Sequence, residues 1–147
     1  MDADAYDIHA DGGARGNPGP AAIGFTISGP GIQPVEQGEY IGEETNNVAE
    51  YTAVLRAFAK LKSLLGSERA KRARVRVFAD SELLVRQANG VYKIKDETLG
   101  KLFVKLYNAR QDFGVVAFEH VPRERNRDAD RMVNDALDRQ GVPSLGV

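Results

Sequence analysis

The chain has no cysteine and only two histidines, His9 and His120, among its 147 residues. Without thiols there are no disulfides, no thiol nucleophile and no cysteine-ligated zinc, and two histidines so far apart in sequence do not make a histidine-rich metal site. Any metal chemistry therefore rests on oxygen ligands. No apolar run approaches the roughly 20 residues that span a bilayer, and the acidic start MDADAYD lacks the basic and apolar regions of a secretory signal. The expectation is a soluble cytoplasmic protein with no membrane partner. A large charge of either sign is also missing: 20 Lys and Arg against 21 Asp and Glu leave a net charge of -1. That argues against a broad field attracting nucleic acid but leaves room for local basic surfaces. The length predicts one domain, here read as a monomer.

Period-2 and helical patterns divide the chain clearly. Tyr6 to Asp11 reads as a strand, the Gly/Pro-rich segment 12–20 as a turn, and AAIGFTISG (21–29) as a second strand, which together make a hairpin. VEQGEYIG (35–42) is a weaker, edge-like third strand interrupted by Gly38. A long helix follows, with Thr45 or Asn46 as its N-cap and Val48, Tyr51, Leu55, Phe58 and Leu65 at helical spacing. Residues 67–74 are polar and basic, and Arg69, Lys71, Arg72, Arg74 and Arg76 read as a solvated loop and an outward strand face rather than a phosphate-binding patch. RVRVFAD (74–80) alternates as a strand ending at Asp80, and SELLVRQAN reads as a short helix. A further helix runs through Leu99, Leu102, Phe103 and Leu106, then VVAFEHVP (115–122) is the last strand. Asn126 is placed to cap a final helix with Ala129, Met132, Val133, Ala136 and Leu137 at core spacing, ended by Gly141 and Pro143. The last few residues read as a loose tail.

Four acids occupy positions where a surface carboxylate is unexpected. Asp11 and Asp80 sit where predicted strands end, and in open α/β sheets ligands gather outside such ends. Glu50 shares a helix stripe with Val54, Ala57 and Leu61, so it points inward. Asp130 shares one with Val133 and Leu137, whereas Asp128 lies in the first turn, where an acid simply complements the helix dipole. Taken singly, each acid also suits a cap, a turn or an arginine partner. If the four converge, like charges ~5 Å apart repel by ~3 kcal/mol per pair at an effective dielectric of 20. Such a cluster needs cations. Oxygen-only ligation suits Mg²⁺ or Mn²⁺, and a bridged pair of ions supports phosphodiester cleavage.

These residues lie in motifs that resemble type I ribonuclease H. The motifs are DGGARGNPGPAAIGF after the first strand, TNNVAEYTAVLRA on the long helix, VFADSELLVRQANG at the fourth strand and VPRERNRDADRMVNDAL near the end. The resemblance covers nearly the whole chain. It implies an α/β fold with a mixed five-stranded sheet, three antiparallel strands followed by two parallel ones, flanked by helices. It also implies an endoribonuclease that cuts the RNA strand of RNA–DNA hybrids with two metal ions, leaving 5′-phosphate and 3′-hydroxyl ends. Asp11, Glu50, Asp80 and Asp130 are then the catalytic metal ligands, with Mg²⁺ as cofactor and Mn²⁺ as a substitute. The bare backbone at Gly12, Gly13 and Asn17 suits close approach to ribose hydroxyls and phosphates, and the family places Asn46 and Asn47 against nucleic acid. Arg15 stays open.

Departures from the family pattern are informative. The basic protrusion of many bacterial members is absent, its place taken by a short segment with Lys93, Lys95 and Lys101, so hybrid binding should be weaker and more sensitive to salt. The link PRERN lacks the loop histidine of many members, and Arg123 is the candidate substitute, as in the shorter archaeal and bacterial forms. His120 reads as structural, and Glu82 stands where a glutamine is common. Two rival readings remain: cleavage of double-stranded RNA as well, since both duplexes present 2′-hydroxyls, or a catalytically silent hybrid-binding module. A carboxylate-pair glycosidase is a more distant one.

Overall fold

The computed structural model describes residues 4–144; the expected loose tail lies largely outside them. Strands β1 (Ala5–Ala14), β2 (Gly19–Ser28) and β3 (Val35–Glu44) are followed by helix α1 (Asn46–Arg72), strand β4 (Arg74–Ala79), helices α2 (Glu82–Ala88) and α3 (Glu97–Arg110), strand β5 (Val115–His120) and helix α4 (Arg127–Arg139). The five strands lie in the order β3-β2-β1-β4-β5. The first three pair antiparallel, and β4 and β5 join parallel, which is the mixed sheet expected. Among the described residues no helix is long and apolar enough to cross a membrane.

Alternation assigns each face of the sheet to a different helix layer. On one face Ile8, Ala10, Phe25, Ile27 and Val77 are buried in one cluster with Tyr51, Val54, Ala57, Phe58 and Leu61 of α1. On the other face Ala22 packs with Val133, Ala136 and Leu137 of α4. The helix α2 is tied to α1 by the buried Tyr51 hydroxyl, which donates to Gln87 Oε1 at 2.6 Å.

Two boundaries differ most from the sequence reading. The strand β1 does not end at Asp11: Gly12, Gly13 and Ala14 continue the ladder opposite Ile23, Ala22 and Ala21. Glycine is poor in isolated strands, but here β2 beside it and the helix above hold the backbone in place. What does end near Asp11 is the pairing with β4, whose last partners are Ala10 and Ala79. The second difference is residues 67–72, which are helical rather than a loop. Gly66, at φ 78°, breaks α1 into two segments, and a positive φ there suits glycine alone without strain. The chain then resumes helix, so Arg69 reaches back to donate to the Tyr6 hydroxyl at 2.7 Å. Arg76, on the strand, pairs with Asp7 at 2.9 Å.

Candidate active site

The site begins with two close approaches that only glycine permits. A Cβ on Gly12 would fall on the Ala49 carbonyl, so α1 rests its first turn directly on β1 and delivers Glu50 beside Asp11. On the other face, Asp11 pairs with Gly24, which pairs with Gly38. A Cβ at Gly24 or Gly38 would strike the backbone of Ala129 or Met132 in α4. Residues directly opposite in an antiparallel ladder share a face, so the Asp11 side chain points toward α4, where Asp130 follows Ala129. The glycine row is the reason α4 can seat deeply enough to bring the two aspartates together.

Asp80 is the first residue beyond β4, level with Asp11 where the two strands part. Ser81 then caps α2, its Oγ accepting from the Leu84 amide at 3.1 Å. The same hydroxyl donates to the Glu50 carboxylate, a link between α1 and the β4–α2 turn that no sequence pattern singled out.

Asn126 also does something other than expected. It holds the N-cap position of α4 but makes no side-chain capping bond. Buried at 1% exposure, its amide instead donates to the Ala10 carbonyl at 2.9 Å. The start of α4 is thus bolted to the strand residue preceding Asp11.

The electrostatics show all four acids within reach of one another. Burial pushes the Asp11 carboxyl up to about 9, with the charges of Asp80, Asp130 and Glu50 adding to it, and protonated Asp11 donates to Asp130. Glu50 is pushed up to about 7 by burial and by Asp80, against the Ser81 hydrogen bond and the Arg123 charge, which favour ionisation. The Oδ2 of Asp80 is buried with no hydrogen-bond partner. Crowded carboxylates and an orphaned oxygen fit a hard divalent cation, which supplies the missing charge. Among the described residues no three acidic or histidine side chains form a finished cage for a metal ion.

The remaining predicted residues separate into wall and scaffold. Asp11, Gly12, Gly13, Asn46, Glu50, Arg123 and Asp130 line one open cleft of about 350 Å³. Asn46 and Asn17 are partly committed: Asn46 Oδ1 accepts from the Ala14 amide at 2.8 Å, and Asn17 Oδ1 accepts from the Asn46 amide at 3.0 Å. Asn47 is exposed on the first turn of α1. Arg15, left open by the sequence, is scaffold, binding Asp138 at 2.8 Å and Asn134 at 3.2 Å on α4. Arg123 stands with its Nε 3.6 Å from Asp80 Oδ2. Glu82 pairs with Arg86 at 2.8 Å, and Lys93, Lys95 and Lys101 are exposed. His120 lies within β5, as expected, at its exposed end. Asp128 is exposed and pairs with Arg131 at 3.4 Å, in keeping with its reading as a surface acid.

Comparison with known proteins places this arrangement in company. Residues 9–136 match the family model described as Reverse transcriptase-like. The chain is 41% identical over 133 residues to the Bifunctional protein Rv2228c of Mycobacterium tuberculosis, covering 89% of this chain and 35% of that protein. It is 36% identical to the Ribonuclease HI of Halobacterium salinarum, covering 89% of this chain and 64% of that protein. The chain thus spans only part of the length of these curated relatives. Among solved structures, LC11-RNase H1 in complex with an RNA/DNA hybrid superposes with a TM-score of 0.85 at 44% identity, over 92% of this chain and 98% of that one. The RNase H1 of Halobacterium salinarum superposes with a TM-score of 0.81 at 33% identity, over 92% and 98%.

Proposed function

The chain belongs to the ribonuclease H family, and from that premise we propose that it is an endoribonuclease hydrolysing the RNA strand of RNA–DNA hybrids. The observation that supports this reading is the set of four carboxylates centred on Asp11, of which Asp11, Glu50 and Asp130 line a cleft beside the bare backbone of Gly12 and Gly13. A hybrid-binding relative at 44% identity supports the choice of substrate. Asp11, Glu50, Asp80 and Asp130 would hold two Mg²⁺ ions, or Mn²⁺ in their place. Bound there, the ions supply an acidified water as nucleophile and positive charge for the departing 3′ oxygen, which leaves 5′-phosphate and 3′-hydroxyl ends.

The chain's own residues prepare that chemistry. Asp11 must give up the proton it directs at Asp130 before it can ligate, and at neutral pH arriving positive charge drives that loss. Ser81 holds Glu50 turned inward and favours its ionised form. Gly13, Asn17, Asn46 and Asn47, with the Gly12 backbone and Arg123, form the wall we assign to the nucleic acid. Contacts to the 2′-hydroxyl are how such a wall selects RNA from DNA.

The test is a strand-labelled hybrid incubated with and without Mg²⁺ or Mn²⁺, beside double-stranded RNA in the same buffer. Metal-dependent breakage of the RNA strand of the hybrid supports the reading. Equal cleavage of double-stranded RNA would widen the substrate class, and binding without cleavage would leave a silent hybrid-binding module instead. Asp11→Asn and Asp80→Asn should each abolish cleavage; full activity in either would remove the assignment.

A further inference from the structure

The buried Asp80 oxygen that lacks a hydrogen bond does not lack a cation. Arg123 Nε lies 3.6 Å from it, beyond hydrogen-bonding range but well within ion-pair range, with the arginine side chain 78% exposed and that of Asp80 10% exposed. A guanidinium normally meets a carboxylate through close, often bidentate hydrogen bonds, as Arg76 meets Asp7 with contacts of 2.9 and 3.0 Å. At Asp80 only the charge is delivered. The arm that delivers it is easily moved: Arg123 opens a single turn of 3-10 helix, Arg123–Arg125, that follows Pro122 and buries none of its own residues. The same charge acts on Glu50, so it serves two of the four acids.

We propose that Arg123 is a resident counter-ion of the metal-free protein, standing in for a divalent cation at Asp80 and Glu50 and swinging out toward solvent when the cation enters. The inference rests on the metal-dependent reading of the site but assigns Arg123 a role distinct from contact with substrate. An arginine that only touched nucleic acid would be indifferent to metal in its absence. A resident counter-ion competes with the metal, and removing it strengthens metal binding.

The test measures Mn²⁺ binding to the full chain without nucleic acid, by calorimetry and by the resonance signal of free Mn²⁺. Arg123→Ala and Arg123→Gln should bind Mn²⁺ about threefold tighter or more, since an exposed charge is partly screened. Arg123→Lys should stay near the parent, because it keeps a positive charge on a flexible arm. Arg125→Ala removes the same formal charge two residues away on the same exposed turn and should change nothing. If the parent binds too weakly to measure, the appearance of binding in the Arg123 variants supports the proposal. Unchanged or weaker binding in Arg123→Ala and Arg123→Gln overturns it, as does an equal gain in Arg125→Ala, which would reduce the effect to net charge. Cleavage of a hybrid by the parent is scored separately, so Mn²⁺ competition without cleavage would overturn the nuclease reading and leave this one standing.

Discussion

The Asn126 side-chain amide donates to the Ala10 carbonyl at 2.9 Å, joining the start of the helix that carries Asp130 to the strand that carries Asp11. The bond is buried and falls at Ala10, the last β1 residue paired with β4. Asn126→Ala would remove this buried hydrogen bond. The expected cost is about 1–3 kcal/mol of stability, read by urea denaturation. Because Asn126 positions Asp130 and touches no substrate, kcat should fall while KM for hybrid stays near the parent value. A rise in KM at constant kcat would contradict the positioning role.

Asp11 makes metal-free stability depend on pH with a definite sign. Its folded-state pKa, about 9, lies above the ordinary value of 3.8, so its contribution is fully present below the unfolded value and is lost as pH rises through 9. In that window the folded state holds a proton the unfolded chain has released, and stability falls by up to about 1.4 kcal/mol per pH unit. His9 runs the other way, since burial lowers its pKa below 6.5, and Glu50 titrates near 7. The clean interval is therefore pH 7 to 9. Thermal melts of metal-free protein should decline across it, Asp11→Asn should flatten the decline, and saturating Mg²⁺ should remove it. A metal-free parent whose melting temperature is level from pH 7 to 9 would show that Asp11 is already ionised.

The two aspartates at the start of α4 should separate cleanly in cleavage assays. Asp128 is exposed and pairs with Arg131, so Asp128→Asn should leave the rate within about twofold, as surface changes usually do. Asp130 faces Asp11 and lines the cleft. Its replacement by Asn should cost at least about a hundredfold in rate, the scale of losing one electrostatic group aimed at developing charge.

Much of this was legible in the sequence because the informative residues break their local rule. An acid on an apolar stripe, as at Glu50, or one carried with Val133 and Leu137, as at Asp130, stands out against hydrophobic periodicity, and the element order follows from the same periodicity. What was illegible depends on contacts between distant segments. Nothing local distinguishes a capping Asn126 from one that reaches across to Ala10, or a capping Ser81 from one that also holds Glu50. The extension of β1 past Asp11 was missed because glycine weakens a strand considered alone, whereas here α1 lies on Gly12 from above. Gly24 and Gly38 carried a usable signal: glycine inside a strand marks close backbone approach, and two of them paired side by side mark a seat for a helix.

Adjacent glycines in β1 offer the sharpest division between packing and recognition. A methyl on Gly12 would collide with the Ala49 carbonyl, while one on Gly13 would meet only Val133 Cγ1 at 3.8 Å, an ordinary contact. Gly12→Ala should therefore push α1 off the strand and destabilise the fold by about 1–3 kcal/mol or more, whatever its effect on activity. Gly13→Ala should fold with nearly the parent's stability. If the Gly13 backbone meets the nucleic acid, the added methyl obstructs that approach, and KM for hybrid should rise several-fold in a protein whose melting curve is unchanged. Parent-like KM in a stable Gly13→Ala protein would remove Gly13 from the binding wall and leave Asn17, Asn46 and Asn47 to carry it.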